Sequence, residues 1–261
     1  MKNKKKLISI LITNFNKEKF VKKSLQSIIK QNYSNYEIII FDDCSTDNSI
    51  KIIKNFKKVK IIENKNKRYT SPPLNQINGI LSAFKISKGK LICLLDADDL
   101  FQTNKLSEIL KYFKINKNEN FVVNFPDKKS NFELKRINSE HNHWPTIFPT
   151  SCISFRRDFF IRFIRFIEKK KFENLEIDAR LIIYSYYNNS FKVINKRLTK
   201  YVKDELGISS NYKKFSIKWW IKRKEAFDYL NFILKKKKIV FVKSLDYYTT
   251  NFVYFFLNLF K

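Results

Sequence analysis

LICLLDADDL, residues 91–100, sets an unbroken apolar run directly against three carboxylates. Five apolar residues in succession read as a strand buried on both faces, which stops where the chain meets water at the carboxyl edge of a sheet. Asp96, Asp98 and Asp99 stand at that edge. Open α/β sheets bind ligands just beyond the carboxyl ends of their strands. In an extended D-x-D the side chains of Asp96 and Asp98 fall on one side, because side chains alternate along a strand. Two hard oxygen donors side by side suit Mg²⁺ or Mn²⁺. A turn of solvated aspartates before a helix cap also reads DADD, so the motif has to be weighed with its neighbours.

Upstream, the same pattern occurs twice. An apolar run at 7–12 is followed by TNFNKEKF and by a helix expected over 18–31, with Phe20, Val21, Leu25, Ile28 and Ile29 on one face. A second run, EIIIF at 37–41, stops at Asp42 and Asp43. Strand, helix and strand form a right-handed βαβ unit. A helix over 49–56 leads to a third strand at 59–62, and Pro72 and Pro73 interrupt the pattern before a helix expected over 74–87. Past DADD, Leu106, Ile109, Leu110 and Phe113 have helical spacing, and 121–125 reads as a strand. After an irregular stretch, a strand at 151–155 enters a helix carrying Phe159, Phe160 and Phe163. A helix over 175–187 and a strand at 191–194 follow.

Composition narrows the classes. With 53 basic and 24 acidic residues the formal charge is +29, which favours nucleic acid, anionic lipid or a phosphorylated substrate as partner. Lysine spread through nearly every helix and loop, beside abundant Asn and Ile, is also what a general compositional bias produces. Three scattered cysteines, no C-x-x-C and two histidines, His141 and His143, argue against a disulfide framework or structural zinc and fit the cytoplasm. The first apolar run is too short for the core of a signal peptide. Neither G-x-G-x-x-G nor a P-loop occurs, and with three glycines in the chain those phosphate cradles are excluded. Three strand ends then meet at one edge. A nucleotide fits there, with Phe15 stacking on the base, Asp43 accepting hydrogen bonds from base or ribose, and a metal at Asp98 clamping a diphosphate.

ISILITNFNKEKFVKKSLQSIIKQNYSNYEIIIFDDCSTDNS, followed by KLICLLDADDLFQTNKL, resembles family 2 glycosyltransferases of the GT-A fold over roughly residues 7–205. The resemblance implies inverting transfer of a sugar from a nucleotide-diphosphate donor, a UDP-sugar, aided by Mn²⁺ or Mg²⁺. It places Thr13, Phe15 and Asp43 at the nucleotide, Asp96 on the ribose side and at the metal, Asp98 as metal ligand and Asp99 behind them. In ENLEIDARLIIYSYY it puts the general base at Asp178, with Glu176 as competitor. PTSCISFRR resembles the family's acceptor-side strand, which would bring Trp144 and His143 near the acceptor. Two departures matter. NQING at 75–79 lacks the Arg of the family's Ala-Arg-Asn-x-Gly, leaving Lys67 or Arg68 to replace it. YVKD at 201–204 lacks the His of Tyr-Arg-x-His, leaving Asp204 as the candidate ligand.

The expected architecture is α/β: a Rossmann-like, mostly parallel GT-A sheet flanked by helices over residues 1–205, and a helical extension over 206–261. The acceptor implied by the family is a surface glycan or a lipid-linked saccharide. A sugar-phosphate nucleotidyltransferase shares the architecture but wants a Gly-rich loop after the first strand, which ITNFNKEKF lacks. A basic protein binding membrane or nucleic acid by charge alone is the non-enzymatic alternative, and it has no need of Asp43, Asp98 and Asp178 together. No nucleic-acid partner is expected. In the tail, 247–260 carries no charge and follows four lysines at 235–238, so a helix lying in the interface at the cytoplasmic face of an anionic membrane is expected. Docking on the domain or pairing with a second copy is the alternative for the same residues.

Overall fold

The computed structural model describes residues 6–127, 144–167, 171–202, 204, 207–241 and 243–259. Strand β1 (Ile8–Asn14) runs parallel to β2 (Tyr36–Asp42) on one side and to β4 (Leu91–Asp96) on the other, with β3 (Val59–Glu63) parallel beyond β2. Helices α1 (Val21–Ile29), α2 (Ser49–Lys54) and α3 (Pro72–Ile86) make the crossovers. Beyond β4 the sheet turns mixed. Strand β7 (Ile153–Arg156) is antiparallel to β4 and to β6 (Phe121–Pro126), while β8 (Val193–Lys200) is parallel to β6 and antiparallel to the two-residue β5 (Leu100–Phe101). The order across the sheet is β3-β2-β1-β4-β7-β6-β8-β5.

The apolar runs are continuous because both faces are covered, and successive residues feed opposite layers. Ile8, Ile10, Ile12, Leu91, Cys93 and Leu95 pack with α1, α2 and α4 (Lys105–Ile115). Leu11, Ile39, Ile92 and Leu94 face the other way, toward α3, α5 (Arg157–Ile164), α6 (Ile177–Tyr187) and α7 (Ile217–Lys236). Tyr229, Leu230, Ile233 and Leu234 of α7 are buried in that second layer, so the first helix of the extension shares the core of the sheet.

Local chemistry explains where the elements depart from the sequence pattern. The prolines expected to break structure instead start α3: Ser71 Oγ accepts from the Leu74 N–H, and Pro72 and Pro73 occupy the first turn, where no helical N–H is required. Gly79 in α3 permits a close approach, since a Cβ there would lie 2.7 Å from Thr13 Cγ2 and 2.9 Å from Phe41 Cδ1. Strand β8 runs past the expected end at 194 because exposed Asn195, Lys196 and Arg197 hide the buried Leu198 and Thr199 that follow. Strand β5 is too short to show a period.

Candidate active site

The parallel register sets Thr13 opposite Asp96 and Asn14 opposite Asp42, so β1, β2 and β4 end level with one another. Their carboxyl ends form the floor of a cavity of about 590 Å³, walled by the start of α3, the start of α6, the segment at 147–150, and Tyr201, Val202, Asp204, Gly207, Ile208 and Asn211. Thr13, Phe15, Asp43, Arg68, Asp96, Asp98, Asp178 and Asp204 all line it. Lys67 is not among the lining residues, whereas Arg68 is.

The two aspartates closing β2 divide their work. Asp42 is spent on structure: it accepts from Asn14 Nδ2 at 2.7 Å and from the Ser45 hydroxyl at 2.6 Å and N–H at 2.9 Å, tying β1 to β2. Asp43 faces the cavity and accepts from Asn64 Nδ2 at 2.7 Å and Arg68 Nε at 2.6 Å. The Arg68 guanidinium also lies 3.4 Å from the centroid of the Phe15 ring. One face of Phe15 is thus covered by Arg68. A base reaches that face only if the guanidinium moves, and otherwise stacks on the guanidinium itself.

The three carboxylates after β4 point to three partners. Asp96 accepts from Gln76 Nε2 at 2.8 Å, and burial, then the charges of Asp98 and Asp99, push its carboxyl up to about 8. Asp99 turns away and accepts from the Val202 N–H at 2.8 Å, which fixes the strand end that delivers Asp204; burial, then Asp98, raise its carboxyl to about 7. Asp98 accepts from the Lys17 ammonium at 2.6 Å, and the same ammonium donates to Asp204. Asp98 and Asp204 therefore already converge on one cation, with Lys17 standing in. An all-oxygen pair of this kind fits a hard divalent ion, whose remaining ligands would come from phosphate and water. Among the described residues no group of three His, Cys, Asp or Glu side chains is placed to hold a metal.

Across the cavity, α6 opens with Glu176 at its N-cap and Asp178 in its first turn. Arg180, fully buried, folds back to donate to the backbone carbonyls of Ile167, Phe172 and Leu175, and so pins the chain leading into the helix. Glu176 pairs with Lys222 of α7. Asp178 accepts from its neighbour's N–H at 2.6 Å; burial, then the charge of Glu176, lift its carboxyl to about 7.

Sequence reading passed over Lys17 and Gln76. Lys17 carried one signal, its place in the first strand-to-helix turn, and was lost among the other lysines. Lys105 was missed too: it is fully buried beneath the site, donates to the Ser151 carbonyl and to Thr199 Oγ1, and burial lowers its amine to about 8. Trp144 packs edge-on against Phe227 of α7 and is not among the cavity residues, while Ile147 to Thr150 take the wall expected of it. His141 and His143 lie outside the described residues.

The family model described as Glycosyl transferase family 2 matches residues 9–176. The chain belongs to that family. Similar curated proteins include the Escherichia coli UDP-Glc:alpha-D-GlcNAc-diphosphoundecaprenol beta-1,3-glucosyltransferase WfaP, 37% identical over 111 residues, or 42% of this chain and 43% of that protein. An uncharacterized glycosyltransferase of Rickettsia bellii is 33% identical over 140 residues, 54% of this chain and 18% of its own length. The matched stretch spans less than half of either relative. Among solved structures, the Pyrobaculum calidifontis mannosyltransferase PcManGT with GDP-Man and Mn2+ superimposes with TM-score 0.63 at 13% identity, over 87% of this chain and 64% of that one. S. aureus TarS 1-349 with UDP-GlcNAc gives 0.60 at 15% identity, over 85% and 66%. At such identities the likeness establishes a GT-A-like α/β fold. The family match stops at Glu176, two residues before Asp178.

The raised Asp178 carboxyl has a consequence for stability. Folding lifts it from an ordinary value of about 3.9 to about 7, so the folded chain holds its proton more tightly, and stability is lost as pH rises through that window. Asp178→Asn removes the penalty. The variant should melt higher than the parent at pH 8, with the difference shrinking to nothing by pH 4; a constant difference across pH would show that Asp178 does not titrate as described.

Proposed function

We propose that the protein transfers a sugar from a UDP-sugar to a lipid-linked saccharide by direct displacement with inversion. The observation that carries this is one cavity holding a two-carboxylate cation seat at the strand ends and, across from it, a carboxylate whose affinity for a proton is poised near neutrality. Asp43, Arg68 and Phe15 would hold the nucleoside, and Thr13 and Gln76-bound Asp96 the ribose. Asp98 and Asp204 would hold Mn²⁺ or Mg²⁺, which offsets charge on the departing diphosphate. Asp178 takes the proton from the acceptor hydroxyl as its oxygen bonds to the anomeric carbon and the bond to the diphosphate breaks. Lys222 keeps Glu176 paired, leaving Asp178 to accept that proton. UDP as nucleotide and a diphospholipid acceptor are supported by the relative from Escherichia coli, whose name gives both.

The extension supports a site at a membrane surface. In α8 (Leu245–Leu259) one face docks on α7: Thr250 is buried and bonded to Arg223 at 3.0 Å, and Tyr247 packs on Phe227. The opposite face leaves Leu245, Tyr248, Phe252, Phe255, Phe256 and Leu259 exposed at helical spacing. On α7, Arg223 also lies 5.0 Å from the Trp219 ring, which packs with Phe215 and Trp220. Exposed lysines at 235–238 run through the last turn of α7 and just past it. No helix among the described residues is long and apolar enough to cross a membrane. Exposed rings beside lysines fit a helix lying in an anionic interface, and three free thiols fit the cytoplasmic face. Since α7 also carries Lys222, the same helix links that face to the base-bearing end of the cavity.

Two outcomes test the reading. With UDP-Glc, Mn²⁺ and a GlcNAc-diphospholipid, Asp178→Asn should bind UDP within a few-fold of the parent yet lose about 10²-fold or more in turnover, and the parent's rate should fall below pH about 7 as Asp178 takes up its proton. A fully active variant moves the role elsewhere. In flotation, the chain should rise with anionic vesicles and not with zwitterionic ones, and Phe252→Asp combined with Phe255→Asp should abolish it. Equal recovery of variant and parent, or no binding by the parent, contradicts attachment through α8.

A further inference from the structure

Lys17 holds the point at which a cation would sit. Its ammonium donates to Asp98 Oδ2 at 2.6 Å and to Asp204 Oδ2, and the three side chains retain only 16%, 13% and 12% of their exposure. The backbone beneath it is fixed, since the Lys17 N–H donates to Ser49 Oγ at 2.9 Å and its carbonyl accepts from Phe20 and Val21. Only the side chain is free to leave. With the lysine in place the seat carries one net negative charge; adding a divalent ion at the same point would set two cations against each other in a poorly hydrated pocket, where like charges repel strongly. The ammonium and a divalent ion cannot share the seat.

We propose that Lys17 is a built-in competitor for the divalent cation: it keeps Asp98 and Asp204 paired while the donor is absent and moves onto the diphosphate when the cation enters. This rests on the metal-assisted transfer proposed above. Two properties follow from it. Without nucleotide the cation must displace a paired ammonium that has nowhere better to go, so it binds weakly. With a nucleoside diphosphate the displaced ammonium gains phosphate oxygens, so cation and nucleotide each tighten the binding of the other by the same factor.

The test is Mn²⁺ affinity of the full chain, read from the electron paramagnetic resonance of free Mn²⁺, with and without saturating UDP. The parent should bind Mn²⁺ at least about tenfold more tightly with UDP. Lys17→Met, which keeps the apolar stem and loses the charge, should bind Mn²⁺ alone about tenfold or more tighter than the parent, and its further gain from UDP should shrink. Removing the ammonium also takes away the charge that Lys17 sets against two largely buried carboxylates, so the variant should melt lower than the parent and recover on adding Mn²⁺. A loss of structure alone would not raise metal affinity. Should Lys17→Met fail to fold, Lys17→Gln serves in its place. Mn²⁺ affinity in the variant equal to or below the parent's, with the parent still responding to UDP, overturns the role of Lys17 alone. A parent that takes up no Mn²⁺ even with UDP overturns the metal reading and this inference with it.

Discussion

Three carboxylates within the four residues 96–99, at the end of a strand buried on both faces, cannot all remain ionised without counter-charge or hydrogen bonds. The protein meets this constraint in three different ways, and the rest of the site follows from them. Asp96 accepts from Gln76; Asp98 is met by Lys17; Asp99 accepts from the backbone of Val202. Each solution recruits a separate part of the chain: the start of α3, the first strand-to-helix turn, and the segment after β8. The acidic strand end therefore assembles the cavity around itself.

The same logic sorts what could be read from the residues. Apolar runs at β1, β2 and β4 stand out because strands buried on both faces leave no polar position to blur them, and the acidic residues just past them follow from the edge they reach. Asp178 was accessible through the ENLEIDARL context, and the structure places it in the lining of the same cavity as Asp98. Lys17 and Lys105 were not accessible. In a chain with this much lysine a paired or buried one looks like any other, and only tertiary contact distinguishes it. Arg68 was expected to reach the donor, but its stacking on Phe15 was invisible because the two are far apart in sequence. Likewise β5 and the second half of β8 owe their strand geometry to each other and to β6 rather than to local pattern.

Helix α7 explains why the extension bears on the site. Its buried face joins the core, Lys222 reaches Glu176 at the cavity, and Arg223 reaches Thr250 and Asp246 of α8. Helix α7 thus contacts both α8 and the start of α6.

The account rests on a nucleoside diphosphate binding where β1, β2 and β4 end, in company with a divalent cation. Calorimetry of the full chain with UDP, GDP and ADP, each with and without Mn²⁺, measures this most directly. The account predicts saturable binding of UDP at one site, tighter with Mn²⁺ than without, and loss of that Mn²⁺-dependent gain in Asp98→Ala while the protein stays folded. Binding of no nucleotide, or an unchanged Mn²⁺ effect in Asp98→Ala, would contradict it.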